Sequence, residues 1–120
     1  ELAKEIAYRS LRWDVVTIGV IAWNAASQRV ADRVIATGTT DDAMLDPLEV
    51  LRVAVAAPGA VSFAVWVWQP AVTRLTVTAS DRDNADRLRM MASALHLTFS
   101  DLLVISPSDR VSLAVLDQWA

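Results

Sequence analysis

A chain of 120 residues that is 54% hydrophobic is long enough for one domain with one core and too apolar to be disordered. It has no cysteine, which excludes disulfide staples, thiolate nucleophiles and zinc sites built on sulfur. Net charge is −3 and arginines alternate with aspartates, as in Asp81-Arg82-Asp83 and Asp86-Arg87, so no basic stripe tracks a phosphate backbone and generic nucleic-acid binding is disfavoured.

The chain divides into an N-terminal helix over residues 1–12 and a core over 13–120. In the helix, Leu2, Ala3 and Ile6 share one side, and Glu5 stands four residues before Arg9. Val15 to Ala22 is a continuous β-branched run, the pattern of a central strand covered on both faces. Asn24-Ala25-Ala26-Ser27 reads as a turn, and Arg29 to Ala36 as the returning arm of a hairpin. Gly38 to Asp46 is polar and irregular. Asp46-Pro47-Leu48-Glu49 then combines an N-cap, a proline at the first helical position and an acid at the third. That helix is expected to stop at Pro58-Gly59.

Val61 to Trp68 is β-branched and aromatic and reads as a buried strand. The uncharged stretch Val53 to Thr73 has the length of a membrane span, about 20 residues, but Pro58-Gly59 divides it and Gln69-Pro70 closes it. Ser80-Asp81-Arg82-Asp83 predicts a helix start with Ser80 as N-cap, followed by Leu88, Met91, Ala92 and Leu95 at helical spacing. Leu102 to Ile105 and Val111 to Val115 read as two short strands joined through Ser106-Pro107-Ser108-Asp109. The fold class is α/β of the α+β type, a single mixed sheet with flanking helices.

Trp66 and Trp68 stand two apart near a strand end, so their side chains share a face. The next helix presents Asp81 and Asp83 in its first turn, and a strand end facing a helix start can bring ligands together. Thr37-Gly38-Thr39, Pro47-Leu48-Glu49-Val50 and the apolar strand to Trp68 occur in that order. The run from Leu95-His96 to Ile105, and Ser112-Leu113-Ala114 with Trp119 beyond, complete the pattern. Over Val15 to Trp119 the chain thereby resembles the RadC-type branch of the JAB/MPN (JAMM) metalloprotease-fold domains. The resemblance implies a three-layer, cytidine-deaminase-like architecture. It also implies a bacterial, cytoplasmic setting and a link to DNA repair or mobile elements.

Active members of that family carry His-x-His-Pro at the strand end and Ser-x-x-Asp at the helix start. The histidines and the aspartate hold zinc, and an upstream glutamate serves as general base. An ungapped reading places Trp66 and Trp68 at the histidine positions, and matching Pro70 to the motif proline places Val67 and Gln69 there. Neither pair is a zinc site, because an indole nitrogen has no lone pair to give and valine has no polar atom. Ser80 and Asp83 keep the Ser-x-x-Asp spacing, with Asp81 as the alternative acid; Asp14 or Val16 falls near the expected glutamate. The resemblance therefore implies zinc for the family but predicts no catalytic residue, metal ligand or cofactor here. The expected function is a protein-interaction or assembly module with a protein partner or a second copy and no membrane. The alternatives are a divergent metal-dependent hydrolase or isopeptidase and a nucleic-acid accessory domain.

Each marked residue has a plainer reading. Trp66 and Trp68 are either an aromatic platform for a peptide or base, or filling for a vacated pocket. Ser80 and Asp83 serve as a helix N-cap and the carboxylate three residues later. His96 is the single histidine and follows the last helical turn, where it meets free carbonyls. Asp41, Asp42 and Asp46 lack the spacing of a calcium loop, and Ser10 and Ser27 have no histidine base at a recognisable spacing.

Overall fold

The computed structural model describes residues 2–10, 14–38, 45–71 and 75–119. The elements run α1 (Leu2–Ser10), β1 (Val16–Asn24), β2 (Arg29–Gly38), α2 (Pro47–Ala56), β3 (Ala60–Trp68), α3 (Ala79–Ala94), β4 (Thr98–Ile105), β5 (Arg110–Ser112) and α4 (Leu113–Leu116). Thr39, Asp41 and Asp42 lie outside the described residues, as does Leu11 at the end of the expected first helix. The strands form one five-stranded sheet in the order β2-β1-β3-β4-β5. Only β3 and β4 pair in parallel, with α3 as their crossover; the other pairs are antiparallel. The mixed sheet and its flanking helices are the α+β architecture expected from the sequence.

Local chemistry fixes the joints. The β1–β2 turn is organised by Asn24, whose Oδ1 accepts from the Ala26 and Gln28 amides at 3.0 and 2.9 Å. Asp46 caps α2 by accepting from Leu48 N at 3.0 Å, with Pro47 in the first turn as expected. The helix ends before Pro58-Gly59, where Gly59 takes φ +68°, a conformation that glycine adopts without a Cβ penalty. No helix among the described residues is long and apolar enough to cross a membrane.

The sheet buries both faces, as the unbroken run of buried positions from Val16 to Ala22 anticipates. One face carries α2 and α3: Ile18, Val20, Phe63, Val65 and Leu102 pack with Val50, Ala54, Ala85 and Leu88. The other carries α1: Ile21, Trp66, Trp68, Leu103 and Ile105 pack with Ala3 and Ile6. Three layers result, with the indoles and α3 on opposite sides of the sheet.

Three expectations are corrected. The strand expected at Leu102 begins at Thr98, because Thr98-Phe99-Ser100 already alternates exposed and buried and Phe99 stacks on Phe63, ring centroids 5.2 Å apart. The strand expected over Val111 to Val115 ends at Ser112 and becomes α4. Ser112 Oγ caps α4 by accepting from Val115 N at 3.2 Å, and Asp101 accepts from Ala114 N at 2.9 Å. The helix expected to start from Ser80 begins earlier, with Thr78 as its N-cap.

Candidate functional site

The corner to inspect is where the end of β3 and the start of α3 share a layer. Along β3, Phe63, Val65 and Val67 face α2 and α3, whereas Trp66 and Trp68 alternate onto the α1 face. Val67 packs on the α3-side core, and so does Val77, which precedes the Thr78 cap. Trp66 and Trp68 are separated from the first turn of α3 by the thickness of the sheet. The pairing of these tryptophans with the α3 carboxylates is thereby corrected: alternation leaves Val67, not its neighbours, on that side. Gln69, two residues on, is half-buried, and its backbone N–H donates to Ile105 O at 2.8 Å.

At the helix start, Asp81 Nα–H donates to Thr78 Oγ1 at 3.1 Å and Asp81 Oδ2 accepts from Thr78 N at 2.9 Å. This is a reciprocal capping box, two amide donors satisfied by two side chains. The Thr78–Asp81 spacing competes with the same spacing in Ser80–Asp83, and the earlier cap wins while lengthening the helix by two residues. Ser80 and Asp83 are left exposed inside the first turns. Asp81 is thus the acid of the corner, and its carboxylate is already engaged.

The other marked residues stand elsewhere. Asp14 is exposed ahead of β1, and Val16 is buried opposite Gly38. His96 is exposed with φ +58°, and it ends α3 rather than facing the corner. Its amide reaches Ser93 O at 3.1 Å and that of Leu97 reaches Ala92 O at 2.8 Å, the two bonds of a Schellman motif. Among the described residues, no three of His, Cys, Asp and Glu gather closely enough to hold a metal ion.

The two indoles are 1% and 0% exposed, so neither offers a face to a ligand. In this closed arrangement the rings fill the layer under α1. Space for Trp66 comes from Gly19, its partner across the β1–β3 register. A Cβ on Gly19 would lie 2.1 Å from the Trp66 ring. The small-large pair is not apparent from linear motifs, since it depends on which segments become neighbours, whereas Thr78-x-x-Asp81 is a local capping signal that overlaps Ser80-x-x-Asp83.

A cavity of about 670 Å³ opens on the α1 face, away from the α3 corner, with Leu2, Trp23, Leu103 and Val111 in its walls. Its acid, Asp101, is engaged by the Ser112 hydroxyl and the Ala114 amide. The far end of the molecule is closed by Trp119, tilted against Phe99 at 5.5 Å and covered by the Arg89 guanidinium at 4.5 Å.

The sequence model of the family described as RadC-like JAB domain matches residues 3–118. No curated protein matches the chain.

Proposed function

We propose, from the premise that this chain belongs to the RadC-like JAB domain family, that it is a non-catalytic member acting as a protein-interaction or assembly module. The observation that carries this reading is the chemistry of the β3–α3 corner. On the strand side it offers valine and a single glutamine, and on the helix side an aspartate already bonded to the Thr78 amide. A catalytic zinc needs about three good donors and an open position. Valine supplies none, glutamine is a poor substitute for imidazole, and Asp81 would have to give up its cap. Zinc does not fit these residues.

The frame has been kept while the donors have not, which suits a fold retained for contacts rather than chemistry. Exposed apolar side chains on α4, Val115 at 77% and Leu116 at 52%, leave surface for a protein partner beside the cavity. Metal analysis of the purified, dialysed protein tests the reading. The expected result is no stoichiometric transition metal; one tightly held zinc per chain would overturn it.

A further inference from the structure

We infer that α1 is a releasable strap over the tryptophan layer, held shut by a surface ionic clasp. The clasp has two teeth on α1 and two on β2. Arg29 donates to both carboxylate oxygens of Glu5, at 2.7 and 3.1 Å. Arg9, one turn along, donates to both oxygens of Asp32, at 2.7 and 3.2 Å. Arg29 also reaches Asp32 at 3.3 Å, joining the two pairs into one chain, Glu5–Arg29–Asp32–Arg9. The Arg9 guanidinium lies 5.6 Å from the Trp66 ring centroid, so the clasp closes directly over the indole.

Beneath the clasp the apolar anchoring of α1 is thin. Its buried residues are Ala3, Ile6 and Ser10, and only Ile6 is large. The Ser10 hydroxyl and Arg9 Nε are buried without a hydrogen-bond partner among the described residues, so undocking would hydrate two groups that docking leaves unsatisfied. The four ionic side chains are between 28% and 47% exposed, which leaves their attraction open to screening by salt. The opposite core, between the sheet and α2 and α3, includes no residue of α1. Release of α1 therefore need not unfold the sheet, which is the condition for a separate, lower-energy opening.

Opening exposes Trp66 and Trp68, and the burial of their rings adds to the clasp in keeping the strap closed most of the time. Once open, the indoles become continuous with the part of the cavity wall that the sheet itself supplies through Trp23 and Leu103. The hidden aromatic face is thereby gated by charge, through residues that lie outside the β3–α3 corner.

Hydrogen–deuterium exchange of the whole chain, read peptide by peptide from about 0.05 to 1 M salt, tests this. The α1 amides should exchange faster than those of β1 and β3, and roughly tenfold faster again at high salt, with the strands unchanged. Arg29→Met should reproduce the acceleration at low salt and raise acrylamide quenching of tryptophan emission. Should Arg29→Met lose its far-UV circular dichroism, the salt series on the natural chain decides alone. Equal protection of α1 and β3 at every salt concentration, moving only with global unfolding, would overturn the inference.

Discussion

Gly19 and Trp66 illustrate how much hangs on one missing carbon. With ring atoms 2.1 Å from where a Cβ would sit, Gly19→Ala forces either the indole or the β1 backbone aside. Overpacking of this kind costs about 1–3 kcal/mol, and urea denaturation should show at least that loss. His96 gives the opposite case. A side chain at φ +58° pays a steric penalty that glycine avoids, and the imidazole is exposed. His96→Gly should stabilise the fold by about 0.5–1 kcal/mol, the relief of a left-handed residue less the added freedom of the unfolded chain. A rise in melting temperature checks this, and a fall would mean the imidazole makes a contact that matters. The sequence alone marks His96 as a helix-terminal residue, while nothing local to Gly19 marks it. Its role depends on a partner 47 positions away across the β1–β3 pairing.

Helix starts were legible where proline narrows the choice and ambiguous where two caps overlap. Asp46-Pro47 fixes α2 because proline is tolerated in the first turn and excluded from the interior. Around α3, Thr78-x-x-Asp81 and Ser80-x-x-Asp83 carry the same signal, and only the folded chain shows the earlier one used. Thr78→Ala should therefore cost about 0.5–2 kcal/mol, whereas Ser80→Ala should be close to neutral. Thermal melts of the two variants distinguish the caps, and the reverse ranking would restore Ser80. The face of β3 was the larger ambiguity. Alternation shows that Trp66 and Trp68 lie together, but not whether the helix above them is α1 or α3. Apolar character on both sides of the strand removes the amphipathic cue that would have told them apart. The Val111–Val115 segment departs from the expected strand for a related reason: its β-branched residues suit a strand, while the Ser112 cap and the Asp101 carboxylate impose a turn of helix.

Among the described residues the carboxylates of Glu5, Asp32 and Asp117 tie distant segments to arginines, and those of Glu5 and Asp117 are shifted by it. The hydrogen bond from Arg29 holds the Glu5 carboxyl below its usual range, against a smaller opposing effect of burial and with the charges of Arg29 and Arg9 assisting. Arg82 does the same for Asp117, binding α3 to the C-terminal segment through contacts of 2.9 and 3.0 Å. Both carboxyls are more acidic in the folded chain, so their stabilisation is full above the ordinary carboxylate range, about pH 4. It fades as pH falls through the lowered folded values. Melting temperature should decline on that acid limb, and the double variant Glu5→Gln, Asp117→Asn should decline less steeply; an unchanged slope would remove these pairs from the acid response. The order of elements and the family frame were readable from one sequence because capping and periodicity are local. What fills the layer beneath α1 depends on long-range pairing, and which acid occupies the β3–α3 corner on the outcome between two overlapping local caps.

The central claim is that this corner has lost the donors a metal requires. Anything that binds the native state alone raises its melting temperature with concentration, so thermal unfolding across a zinc titration interrogates the claim directly. The expected result is a melting temperature independent of zinc, in the natural chain and in Asp81→Asn alike. A saturable zinc-dependent rise that disappears in Asp81→Asn would contradict it.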